Sequence, residues 1–113
     1  MSLLAELTRI GHSCNVPIET GVFSESPPDA YLVLTPLNDH FALSADNSPG
    51  IDVQEVRISL FSKGNYLKTK NILIRQILDE GIFITDRRYL GHEDDTDYHH
   101  YAIDVANYYE LEG

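Results

Sequence analysis

Leu3, Leu4, Leu7 and Ile10 recur at the spacing of one helix face, and Ser2 stands where a cap would accept a backbone N–H. The chain therefore opens with a short helix, for which Gly11 is the expected stop. The stretch from Val16 to Asp29 is marked by Pro17, Pro27, Pro28 and serines, and predicts a short extended segment ended by a Pro27-Pro28 turn. Tyr31 to Leu37 is rich in strand formers and apolar on both faces, so it reads as a well-buried strand, with Pro36 marking its end or an edge position. An Asn38-Asp39 turn is then expected before a second, alternating strand from His40 to Asp46, closed by Asn47-Ser48-Pro49-Gly50.

Val53 to Ser62 predicts a further strand, with Val56, Ile58 and Leu60 on one face and Arg57, Ser59 and Phe61 on the other. Val53 is out of phase with Val56, which points to a bulge near Gln54-Glu55. From about Tyr66 to Glu80 the period changes to helical. Tyr66, Leu73, Ile74, Ile77 and Leu78 form the stripe, Lys68, Lys70 and Arg75 lie off it, and Gly81 is the cap. Strands from Ile82 to Gly91 and from Tyr98 to Glu110 follow, joined by the acidic turn Glu93-Asp94-Asp95-Thr96-Asp97. On the last strand Tyr101, Ile103 and Val105 share one face, while Tyr98, His100, Ala102, Asp104 and Ala106 share the other. The resulting order, α-β-β-β-α-β-β with short links, is an α+β fold with a mostly antiparallel sheet of about four to five strands packed against two helices. Residues 1–113 read as a single domain, without internal repeat or linker.

Composition narrows the function. An apolar content of 42% supports a real core. A net charge of −10 disfavours a general nucleic-acid binder, which needs cations to neutralise phosphates, and adsorption onto anionic lipid. A single cysteine rules out an internal disulfide and suits a reducing compartment. No apolar run reaches the roughly 20 residues of a membrane helix, and Glu6 comes too early for a signal peptide. The charge is unevenly spread. Residues 1–56 hold eight acids against Arg9 alone, a net −7; residues 57–88 hold seven bases against three acids, a net +4; residues 89–113 hold seven acids and no Lys or Arg, a net −7.

The densest polar cluster, His92-Glu93-Asp94-Asp95-Thr96-Asp97-Tyr98-His99-His100, invites a metal reading, but the templates fail. A zincin helix needs histidine where Thr96 stands. A calcium loop begun at Asp95 puts His100 at the glycine and Ala106 at the bidentate glutamate. His99 and His100 are adjacent in an extended run and point apart, so at most one could join His92 across the hairpin. A solvated turn is the expectation. Cys14 with His12 lacks a third, orienting group and reads as a small buried hydrophobe. There is no Gly-x-Ser-x-Gly elbow and no Gly-rich phosphate loop, so neither catalysis nor a cofactor is expected. Arg87 and Arg88 face opposite sides of a strand and are expected to pair with carboxylates of the acidic segments. Tyr108 and Tyr109 also point apart, leaving at least one available to a partner. With no catalytic constellation left, the chain reads as a binding or assembly protein.

The run from Asp52 to Tyr66, the following helix, Ile84-Thr85-Asp86-Arg87-Arg88-Tyr89 and the stretch from Gly91 to Val105 resemble small proteins of tailed-phage and prophage morphogenesis clusters in low-GC Gram-positive bacteria. Size and element order over most of residues 17–110 are similar to the tail terminator, or tail-to-head joining, proteins of long-tailed phages. That family has no catalytic motif, so no residue role carries over. The resemblance implies a homo-oligomeric ring, typically a hexamer, that caps the tail tube and meets the head-tail connector. It would be made in the bacterial cytoplasm and end in the virion. On this reading Arg87, Arg88, Asp94, Asp95, Asp97, Tyr108 and Tyr109 are candidates for the subunit or partner interface. The basic middle and acidic flanks would supply unlike faces to a heterologous contact, and DNA would pass an acidic lumen without sticking. Three alternatives stand beside it: another minor tail or head-completion protein, an acidic module that inhibits a host protein, and a small metal-dependent enzyme built on His92, His99 and the aspartates of the turn.

Overall fold

A computed structural model describes residues 2–20, 28–42 and 50–110. The chain begins with helix α1, Leu3–Ser13, whose N-cap Ser2 accepts the Ala5 N–H. Leu3, Leu7 and Ile10 are buried. Gly11 does not stop the helix. It lies inside α1 because a Cβ there would come within 2.8 Å of Ile18 Cδ1, and the helix ends two residues later, followed by Asn15 at φ 63°.

Strand β1, Ile18–Thr20, then pairs parallel to β2, Ala30–Ala42. Here the segmentation differs from the expectation. Tyr31 to Leu37 and the residues from His40 belong to one strand, with no turn at Asn38-Asp39. The register slips between Pro36 and Asn38, so Leu37 is the extra residue of a bulge in β2 opposite Val56 and Glu55. The bulge expected near Gln54-Glu55 is therefore carried by the neighbouring strand. β3, Ile51–Ser62, keeps an unbroken antiparallel register with β5 from Ile51 to Ser62. Gln54 occupies a core-side position because its Oε1 accepts the N–H of Leu3 at the start of α1 (2.9 Å), and that is why Val53 and Val56 fall on opposite faces. The Pro27-Pro28 and Asn47-Ser48-Pro49-Gly50 turns, and any strand beyond Ala42, lie outside the described residues or at their edge.

Helix α2, Tyr66–Asp79, is capped by the Asn65 side chain, and Gly81 follows its end at φ +76°. Leu73 and Ile77 are buried and Tyr66 and Ile74 pack against the core, but Leu78 is 56% exposed and does not belong to the stripe. β4, Phe83–His92, and β5, His99–Glu110, follow. The element order is α-β-β-β-α-β-β, with one five-stranded sheet in the order β1-β2-β3-β5-β4, antiparallel except for β1. It is the expected α+β fold.

Both helices lie on one face of the sheet. There Leu32, Leu34, Val56, Ile58, Leu60, Tyr101, Ile103 and Val105 meet Leu3, Leu7 and Ile10 of α1, Leu73 and Ile77 of α2, and Ile82 in a continuous core. Among the described residues no helix lies over the opposite face. No helix of the described residues is long and apolar enough to cross a membrane.

Candidate functional site

Pairing registers assign each paired strand residue to a face, since cross-strand partners share one. The uncovered face is built of rows. In the first, Tyr31, Phe61 and His100 are successive neighbours. Phe61 stacks on Tyr31 (centroids 4.9 Å) and on His100 (4.3 Å), and the Tyr98 ring stands edge-on to Tyr31 and Phe61. The Tyr98 hydroxyl donates to the carbonyl of Pro28 at 2.5 Å. Burial holds the His100 imidazole below its ordinary pKa, and its Nε2 has no hydrogen-bond partner among the described residues. The centre of the second row is Val33, Ser59 and Ala102, all buried, with Arg88 next to Ala102 on β4. The buried side chains are small, and the larger groups of the flanking rows screen them from water. The third row is ionic. Arg57 grips Asp104 with Nε and Nη2 (2.8 and 3.1 Å), which holds the guanidinium above its ordinary pKa. Beside it Arg88 pairs with Asp86 at 2.6 Å and keeps that carboxyl below the usual range.

Beyond the third row this self-coverage stops. Glu55, Ala106 and Phe83 form the next row, Val53 with Tyr108 the one after it, and Ile51 with Glu110 the last. Phe83 and Tyr108 stack at 6.3 Å while remaining 57% and 56% exposed. Exposed aromatic side chains in contact, beside an acid and two small apolar groups, are the composition of a protein contact surface.

The interface candidates read from sequence occupy three separate places. Arg87 and Arg88 do face opposite sides, Arg87 sharing the face of Ile103 and Arg88 that of Ala102. The partner of Arg88 is Asp86 of its own strand, not a carboxylate of the acidic segments, and Arg87 has no ion pair among the described residues. The bond from the basic middle to the acidic C-terminal segment is made by Arg57. Asp94 and Asp97 hold His92, through Nδ1 at 3.3 Å and Nε2 at 2.6 Å, and raise its pKa. Asp97 adopts φ 65° to close the turn, and Asp95 is exposed within it. Tyr108 lies at the other end of β5, roughly 30 Å from His99, where the strand leaves the turn, by strand rise. Tyr109 turns to the helix side, where its hydroxyl donates to Glu6 Oε2 at 2.6 Å and its pKa is pushed far up. Sequence reasoning missed Phe83 and Glu55. An apolar residue heading β4, opposite the alternating Ala106, was the available signal.

His99 and His100 point to opposite faces, and His99 meets His92 across the hairpin with ring centroids 4.7 Å apart. His99 Nδ1 lies 2.9 Å from the Tyr89 hydroxyl. Among the described residues no group of three or more His, Cys, Asp and Glu side chains is arranged to hold a metal ion. Cys14 packs at the edge of the core, and burial pushes its thiol pKa up, away from the reactive thiolate. A shallow depression beside it, lined by His12, Asn15, Val16 and Pro17, offers one imidazole and no orienting carboxylate.

The fold defines a class: an antiparallel α+β sheet with a parallel edge strand, both helices on one face and the other face open. A chain in the virion of a native gene transfer agent particle has a similar fold, with a TM-score of 0.62 over 97% of this chain and 96% of that one, at 11% sequence identity. No family model and no curated protein sequence matches the chain.

Proposed function

We propose that the protein is a structural component of a phage-like virion, and within it a tail terminator: a homo-oligomeric ring, hexameric on the tail, that caps the tail tube and offers its other rim to the head-tail connector. The observation that carries this reading is the end-to-end likeness of fold to a chain of a gene transfer agent virion. The surface chemistry supports it. An exposed aromatic pair on an uncovered sheet face suits a contact with protein. A net charge of −10 repels nucleic acid, as required of a channel through which DNA passes without binding. The ring would assemble in the bacterial cytoplasm and be carried in the virion.

The test is light scattering and negative-stain microscopy of the purified protein with and without assembled tail tubes. Density at tube ends and arrested tube growth are expected. Binding to isolated connectors with none to tube ends would instead make it a head-completion protein. Absence of both would overturn the virion reading.

A further inference from the structure

The basic middle of the sequence separates in three dimensions into engaged and unengaged cations. Arg57 and Arg88 are locked in ion pairs on the uncovered face. Lys63 lies over the Tyr98 ring and Lys70 over Tyr101. Lys68 and Arg75, by contrast, are exposed on α2 and have no ion pair among the described residues. They share the outer side of that helix with Leu67, Ile72 and Leu78, which are 48%, 43% and 56% exposed. Because α2 buries Leu73 and Ile77 against the sheet, this outer side points away from the uncovered face. One side of the subunit is thus apolar and basic. On the other side Glu55, an acid with no ion pair among the described residues, shares a face with Phe83, Tyr108 and Val53, in the row between Arg57 and Val53.

Among the described residues the sheet edges carry features that oppose a rival contact, and beyond Leu34 the β2 edge is interrupted by Pro36 and the bulge at Leu37. β4 carries register slips at Ile84/Asp86 and Tyr89/Gly91 and three charges between them, and β1 has only three residues. Bulges, charges and short edge strands are the devices that prevent strand addition.

We propose that the outer side of α2 in one copy docks on the Glu55–Phe83–Tyr108 patch of the next, with Leu67, Ile72 and Leu78 against the aromatic rings and Lys68 and Arg75 facing Glu55. The two surfaces differ and lie on opposite sides of the subunit, so the contact is heterologous and adds copies head to tail, the geometry that a ring closes. This rests on the ring reading above and supplies its subunit interface. Charge complementarity selects the second copy as the occupant: the strands of the uncovered face carry Glu19, Glu55 and Glu110 beyond the acids neutralised by Arg57 and Arg88, and α2 carries three bases against Asp79.

The experiment is multi-angle light scattering of the full chain, alone and on tail tubes, for wild type and for E55K, R75E and the two combined. Each single reversal should weaken association about tenfold or more. The double reversal should restore it. Y108S and F83S, at exposed positions, should also disperse the ring, which keeps the test open if E55K fails to fold; circular dichroism reports folding for all. Rings that survive the reversals and Y108S overturn the docking and leave the terminator reading intact. A folded double variant that stays monomeric likewise overturns the pairing. Absence of rings in wild type, both free and on tubes, overturns the ring reading itself.

Discussion

The covered and uncovered faces of the sheet are made by the same strands, yet they keep water away by different means. On the covered face burial is external: Leu60, Ile58, Ile103 and Val105 are sealed by α1 and α2. On the uncovered face it is internal. Aromatic rings and ion pairs shield a row of small residues, and only as far as Asp104. Where those groups end, Phe83 and Tyr108 stand exposed. A sheet face can thus be partly self-sufficient, and the place where its own cover stops is where a partner gains most by adding to it.

This contrast can be broken by mutation, and the largest effect belongs to the covered face. Leu60→Ala should lose about 3 kcal/mol in urea denaturation, by lost transfer energy and a cavity that the helices cannot close. Val33→Ala, in the self-covered row, should lose only about 1 kcal/mol. Equal losses would mean that the uncovered face is a second core. Asp104→Ala should cost about 1–2 kcal/mol, since its pair with Arg57 is partly solvated. It should also open the Val33–Ser59–Ala102 row, seen as faster amide exchange at Ser59 and Ala102. No change there would show that ion pairs do not shield the row.

The smallest effect is in pH, and the two faces should show opposite signs. On the helix side His92 has its pKa raised by Asp97 and Asp94, so its contribution to stability is full below the ordinary 6.5 and is lost as pH rises through the higher folded value. On the uncovered side burial lowers His100, so folding excludes a proton. Its contribution is full above 6.5 and declines as pH falls below that value. In an NMR titration Asp97→Asn should return His92 toward 6.5 and leave His100 unmoved. A common shift of both would show that net charge, not local contact, sets them.

Much of the fold was legible because burial on one face leaves an alternating record. Val56, Ile58 and Leu60 on β3, and Tyr101, Ile103 and Val105 on β5, read correctly since each faces the helices. The long strand β2 did not. Pro36, Asn38 and Asp39 are turn formers, but in an exposed strand with a bulge at Leu37 the missing N–H of Pro36 and the phase slip are both absorbed. The bulge expected in β3 lies in β2, because a phase slip in one sequence can equally record a neighbour's insertion or, as at Gln54, a polar side chain serving a helix N-terminus. Leu78 fitted helical spacing but fell outside the contact arc of a helix lying on a flat sheet. The interface candidates were chosen by residue type along the chain, whereas the patch at Phe83 depends on which strands become neighbours, and that information is not local.

Gly11 has a consequence for the time behaviour of the molecule. With no Cβ it lets Ile18 settle onto α1, and that contact, with the short β1–β2 ladder of three residue pairs, anchors the parallel edge. Among the described strand ladders this is the shortest, and its amide protons are expected to exchange ahead of those of β3 and β5. Each opening would momentarily bare the β2 main chain at Leu32 to Leu34, the stretch of that edge covered by β1.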